Sequence, residues 1–303
     1  MSADLFRQLK FGLSGKCLQN EPLAKYTTWR VGGAADFYAE AENEDDVLFC
    51  LDFVERHHLP LTLIGNGSNL LVLDGGVRGV VMRLGGEFNK VSIQGTEVIA
   101  GAATILPRLS REAASHQLSG LEFAVGIPAS LGGAVVMNAG IPGNALEDII
   151  KAVRVINKDG QKTSLSREEL GFGYRSSKLY SPYNIVLQAT LQLKRGRGLD
   201  IWQKMERLLE QRKDRQPISS PNAGSVFKNP PDYTAGYLIE KAGLKEAECG
   251  DAKVSLKHAN FIVNEGKASA QEILSLIKTI QEEVEQKFNI CLEPEVHVIG
   301  DEK

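Results

Sequence analysis

Apolar residues recur along this chain at two periods, and the switch between them predicts its elements. Val47, Cys50, Leu51 and Val54 stand at helical spacing in a segment that begins at Asn43 or Glu44. Leu106, Leu109 and Ala113 predict the inner face of a helix over 107–116, and Ile201, Met205, Leu208 and Leu209 that of a charged helix over 200–215. The longest repeat, Ile273, Ile277, Ile280, Val284 and Phe288, predicts a helix over 269–288 opened by a Ser269–Glu272 capping box. Shorter helices are expected over 131–137, 167–170 and 235–242. Short runs bounded by glycine or polar turns predict strands over 35–39, 61–64, 77–84, 90–94, 97–101, 152–157, 183–193 and 259–264, and residues 70–76 read as a strand and a turn. Asp159-Gly160 is a hairpin signal at the end of the 152–157 strand. If residues 290–299 run as one strand, Ile290, Leu292, Val296 and Val298 share one face and Glu293, Glu295 and His297 the other. Pro294 then marks an edge or a break. Residues 1–20 read as an amphipathic lead-in, and a domain junction is expected near the 200–215 helix and the Pro- and Ser-rich linker over 216–222.

Composition narrows the class. A chain of 303 residues, 43% hydrophobic and 24% charged, fits a soluble globular protein of more than one domain. The net charge of −3, with no basic stripe or tail, argues against a nucleic-acid partner. No apolar run has the length of a membrane span and the N-terminus lacks a secretory core, so the expected location is the cytoplasm. Cys17, Cys50, Cys249 and Cys291 are scattered, which reads as reduced thiols rather than a disulfide frame or a zinc site. No metal is expected.

Common catalytic signatures are missing: there is no GxxxxGK[ST] loop, HExxH or GxSxG. His57-His58 at a helix end reads as a solvated cap. Gly65-Asn66-Gly67-Ser68-Asn69 follows a strand, but the chain runs on into a second strand instead of opening a helix, so a Rossmann fold is rejected. The loop still offers backbone amides to an anion, or else it is a hairpin turn. Gly126 to Gly140 has the same two readings. It is either a tight packing corner or an anion site where Ser130 opens a short helix whose N-terminus faces a phosphate.

Six ordered segments together resemble one family. They are Tyr26-Thr27-Thr28-Trp29-Arg30-Val31-Gly32-Gly33, Gly65 to Leu71, Gly126-Ile127-Pro128 through Asn138-Ala139-Gly140, Gly173-Tyr174-Arg175, Gly224-Ser225-Val226-Phe227-Lys228-Asn229-Pro230 and Leu292-Glu293-Pro294-Glu295-Val296. The chain resembles the UDP-N-acetylenolpyruvoylglucosamine reductases over almost its whole length. It is similar to the shorter branch, which lacks an extra tyrosine-bearing loop between the arginine and serine motifs.

The resemblance implies an α+β fold: a two-subdomain FAD-binding fold of the vanillyl-alcohol-oxidase type plus a C-terminal α+β substrate domain. The corresponding division is residues 1–82, 83–208 and 209–303. It implies non-covalent FAD, NADPH as co-substrate, and reduction of a sugar-nucleotide enolpyruvyl ether to UDP-N-acetylmuramate. A monomer with no nucleic-acid or membrane partner is expected. It carries Ser225 over as proton donor, Arg175 as the guanidinium that holds the substrate carboxylate, and Glu295 as a catalytic carboxyl. From pattern alone these read as a turn hydroxyl, an ion-pairing arginine and an edge-strand charge. Ile64, Gly65, Asn66, Gly67, Ser68, Asn69, Leu70, Gly126, Ile127, Pro128, Ser130, Gly132, Gly133, Ala134, Asn138, Gly140 and Arg175 are the implied cofactor contacts. Tyr174, Lys228 and Asn229 are the implied substrate contacts. Other readings are an oxidase of the same flavoprotein superfamily and a non-catalytic nucleotide binder that kept the fold.

Overall fold

The computed structural model describes residues 2–180 and 184–302. It divides into two compact units: residues 1–19, 37–66 and 79–211 form the first, and residues 20–36, 67–78 and 212–303 the second.

The first unit carries the helices α1 (Ser2–Gly12), α2 (Glu44–Arg56), α3 (Leu106–Ser115), α4 (Leu131–Val136) and most of α5 (Gly198–Arg215). Asn43 caps α2 by accepting from Asp46 N at 2.9 Å, and Asp46 in turn accepts from Ser14 N and Glu42 N. A five-stranded antiparallel sheet runs in the order Lys162–Ser166, Ile150–Asn157, Asn184–Gln192, Glu97–Gly101, Val91–Gln94. The predicted hairpin at Asp159-Gly160 joins its first two strands, with Asn157 Oδ1 accepting from Asp159 N and Gln161 N. A second sheet has the order Cys17–Pro22, Ala34–Ala41, Val77–Leu84, Leu61–Ile64, its last pair parallel. Phe37, Val80, Met82, Leu109, Val153 and Leu187 belong to one continuous core between these elements.

The second unit contains α6 (Ala235–Lys241), α7 (Ala270–Phe288) and a three-stranded sheet of Glu248–Cys249, Ala252–Val254 and Ile262–Asn264. The capping box forms as expected: Ser269 Oγ accepts from Glu272 N at 3.2 Å, and Glu272 Oε2 from Ser269 N at 2.8 Å. Asp74 adds acceptors for Ala270 N and Gln271 N, so all the leading amides named here are paired. Ile273, Ile277, Ile280 and Val284 are buried, Phe288 partly so. Each fully buried isoleucine contributes about 1.5–3 kcal/mol of transfer free energy.

Three expected elements differ. Residues 167–170 make a single turn, because Gly171 takes φ +53 and stops the Ser166–Glu169 cap from propagating. The 259–264 strand starts only at Ile262, since Asn260 turns its side chain inward to Phe227. Residues 290–299 are not one strand: Pro294 makes an isolated bridge to Phe227, and only His297–Ile299 pairs regularly, parallel to Leu70–Val72. Proline has no N–H to continue a ladder. Leu292 and Val296 are buried as the alternation requires, whereas Val298 is 43% exposed. The expected strand start at Tyr183 lies outside the described residues.

Candidate active site

In the first unit, the strand Leu61–Ile64 delivers Gly65 and Asn66 against the Gly126–Ser130 strip. Asn66 Nδ2 donates to Pro128 O at 2.7 Å. A Cβ on Gly65 would stand 2.4 Å from Ser130 Oγ, so the backbone approaches a hydroxyl more closely than any other residue allows. Among the described residues, the amides of Asn66, Gly67, Ser68 and Asn69 donate to no protein acceptor. Successive unspent amides of this kind suit an anion.

The α4 N-terminus has most of its leading amides paired within the protein. Ser130 caps it, but Leu131 N already donates to Thr104 O and Gly132 N to Ala102 O, both at 2.8 Å, while Ala134 N closes on Ser130 O. Gly133 N faces Ser130 Oγ at 3.5 Å. These amides hold the helix to its own unit.

The arginine motif forms a two-residue turn, with Gly173 N donating to Ser176 O and Ser176 N to Gly173 O. Arg175 sits at its corner with φ +53, an uncommon conformation for a side-chain-bearing residue. Its Nη2 donates to Gly140 O at 3.1 Å, and its guanidinium lies 5.3 Å from the centroid of the exposed Tyr174 ring. Asn138, 2% exposed, splits its amide between Gly173 O and Glu147 Oε1 at 3.0 Å each, tying the turn to the end of the glycine-rich strip.

The second unit holds Gly67, Ser68, Asn69, Leu70, Ser225, Lys228, Asn229 and Glu295. The Tyr26–Gly33 motif braces the glycine loop: Thr28 N and Oγ1 both point at Gly67 O, and a Cβ on Gly67 would strike Tyr26 O at 2.0 Å. Trp29 is fully buried, donating Nε1–H to Ile262 O at 2.8 Å. The Ser225 loop begins in an Asx turn, with Asn222 Oδ1 accepting from Gly224 N at 2.9 Å and Gly224 at φ +79. Glu295 N donates to Val226 O at 2.7 Å and Lys228 N to Glu293 O at 2.8 Å, so the serine and glutamate segments run side by side. Asn69 Nδ2 donates to Glu295 O, and His297 N to Asn69 O. Lys228 pairs with Glu293, and Asn229 Oδ1 accepts from Ala235 N at 3.0 Å. Burial, with the Lys228 ammonium beside it, holds the His297 imidazole below its ordinary range; burial and Lys245 do the same to His258.

Sequence reasoning missed Asn260 and Asp74. Asp74 was findable as an acidic residue in a turn, but nothing in the sequence links it to a helix that starts far along the chain. Asn260 carries no local signal at all. Among the described residues there is no group of His, Cys, Asp or Glu able to hold a metal ion.

Residues 35–166 match the FAD binding domain family, so the chain is an FAD-dependent oxidoreductase. Residues 216–299 match the UDP-N-acetylenolpyruvoylglucosamine reductase C-terminal domain. The chain is 47% identical over 294 residues to the UDP-N-acetylenolpyruvoylglucosamine reductase of Moorella thermoacetica, covering 97% of each chain. It is 43% identical over 287 residues to that of Caldanaerobacter subterraneus, covering 95% of each. The crystal structure of the reductase from Thermus caldophilus superposes with a TM-score of 0.82 at 40% identity, over 95% of this chain and 100% of that one. This chain belongs to the UDP-N-acetylenolpyruvoylglucosamine reductase family.

Among the described residues, no helix is long and apolar enough to cross a membrane.

Proposed function

We propose that the chain catalyses NADPH-dependent reduction of the enolpyruvyl ether of UDP-N-acetylglucosamine to UDP-N-acetylmuramate, a step of peptidoglycan precursor synthesis. The observation that carries this reading is the backbone bond from Glu295 N to Val226 O, which sets the proton-donor and carboxyl candidates on adjoining segments. Within the first unit the close-approach Gly65 and the Ser130 hydroxyl, and within the second the unspent amides of Gly67, Ser68 and Asn69, are the kinds of group that suit a dinucleotide diphosphate. The other cofactor contacts named from the family belong to the same reading. FAD held there would supply hydride chemistry between NADPH and the substrate.

The protein's part is to hold the carboxylate, stabilise charge and deliver a proton. Hydride addition at C3 of the enolpyruvyl group leaves negative charge at C2 that spreads onto the carboxylate. The Arg175 guanidinium pairs with that carboxylate, and its bond to Gly140 O holds it ready in advance. Ser225 Oγ–H gives its proton to C2, completing addition of H⁻ and H⁺ across the double bond. Glu295 contributes a catalytic carboxyl on the segment beside Ser225. Lys228 and Asn229 bind polar groups of the sugar nucleotide, and Tyr174 packs beside the ring system. This reading takes the protein to act as a cytoplasmic monomer divided at residues 1–82, 83–208 and 209–303.

Ser225→Ala tests it. NADPH bleaches the flavin absorbance of this variant at the wild-type rate, while reoxidation by the enolpyruvyl sugar nucleotide slows by about 100-fold or more. Reoxidation at the wild-type rate removes Ser225 from the reaction.

A further inference from the structure

Helix α6 has a buried face and an aromatic one. Ala235, Leu238 and Ile239 enter the core, and Thr234 caps the helix by accepting from Tyr237 N at 3.2 Å. Tyr233, Tyr237 and Lys241 follow one another at spacings of one helical turn on the outside. The two tyrosine rings are stacked, 11° from parallel with centroids 6.2 Å apart, and each residue is 49% exposed. Lys241 Nζ lies 5.7 Å from the Tyr237 centroid. An outer face of this kind ordinarily carries charged or small polar side chains, whereas here it carries two stacked, half-exposed aromatic rings.

Its setting is rigid. Asn229 Oδ1 accepts from Ala235 N, which fastens the first residue of α6 to the loop that carries Ser225, Lys228 and Asn229. A Cβ on Gly236 would lie 3.2 Å from His258 Cε1, so the helix rests directly on that imidazole. Lys241 borders the Tyr237 ring, and the exposed apolar area amounts to about two side chains, enough for one planar ring and too small for a protein interface.

We propose that Tyr233 and Tyr237 form the stacking platform for the uracil base of the sugar nucleotide. The inference rests on the function proposed above, which supplies a uridine diphosphate ligand. Every nucleobase has a π face, and an aromatic side chain binds it without needing matched hydrogen bonds. The Asn229 tie places the platform next to the loop that handles the rest of the same molecule. No bond is made or broken there; the platform contributes affinity.

The experiment uses FAD-loaded protein carrying Tyr233→Ala, Tyr237→Ala, Tyr233→Phe or Tyr237→Phe. Each alanine variant raises KM for the sugar nucleotide about tenfold, the size expected for one lost base stack, with kcat and the NADPH half-reaction unchanged. The phenylalanine variants keep the wild-type KM, because the ring and not the hydroxyl does the binding. Calorimetric titration with UDP alone shows the same loss for alanine and the same retention for phenylalanine. Wild-type KM and UDP affinity in both alanine variants overturn the platform, as does an equal loss in the phenylalanine variants. An alanine variant that changes only the concentration dependence of self-association also overturns it, assigning the rings to a second copy of the chain. Failure of the functional reading looks different: wild-type protein then gives no substrate-dependent flavin reoxidation, while the UDP titrations still decide the platform.

Discussion

Asn260 grips Phe227 from both sides of its peptide: Oδ1 accepts from Phe227 N at 2.9 Å and Nδ2 donates to Phe227 O at 2.8 Å. Both residues are buried, and Asn260 O also accepts from Val226 N. The side chain therefore stands in for a missing strand beside the Ser225 loop. A buried backbone that cannot reach a ladder must find partners elsewhere, and one carboxamide provides both kinds.

Asn260→Ala leaves the Phe227 N–H and C=O buried without these partners, at about 1–3 kcal/mol each. The denaturation midpoint falls by an amount equivalent to about 2–4 kcal/mol with an unchanged m value, and turnover drops with it because Ser225 loses its support. A midpoint within error of wild type shows that the clamp is dispensable.

Gly65→Ala places a methyl group where Ser130 Oγ already sits, since a Cβ there would stand 2.4 Å from that oxygen, far inside contact distance. Purified protein of this variant retains less flavin, read from its absorbance after gel filtration, and loses about 1–3 kcal/mol of stability through overpacking. Adding Ser130→Ala removes the obstructing oxygen and restores stability in a double-mutant cycle. Additive losses in that cycle show that the strain lies elsewhere.

The thiols differ in reactivity for a physical reason. Burial pushes the Cys17 thiol up to about 11 and the Cys50 thiol up to about 12, with the Asp46 carboxylate adding to the latter. Cys291 is exposed. Maleimide at about pH 8 therefore labels Cys291 in native protein, and Cys17 and Cys50 react only on unfolding, as peptide mass mapping reads directly. Native labelling of Cys50 as fast as Cys291 contradicts the burial.

Helices were legible in the sequence where a long apolar repeat met its caps. Helix α7 shows this best, because the Ser269–Glu272 box and the Ile273–Val284 stripe act within a few residues of one another. The 167–170 segment shows the limit: the same kind of cap at Ser166–Glu169 closes only one turn when a left-handed glycine follows. The motifs for the glycine loop, the arginine turn and the serine loop were also readable, as ordered residue types. Their hydrogen-bond accounts were not, and the α4 amides prove spent on Ala102 and Thr104, residues with no motif of their own.

By itself the sequence determined the α+β content, the family and the residue types available for flavin and enolate chemistry, because periodicity, capping and motif order are local properties of a chain. Only the tertiary structure decided which amides stay unspent, why Gly65 must lack a side chain, how Asn260 holds the serine loop, and that Tyr233 and Tyr237 present one stacked face. Those outcomes depend on which distant segments come into contact, and a buried polar group is paired by whatever folding brings within about 3 Å of it.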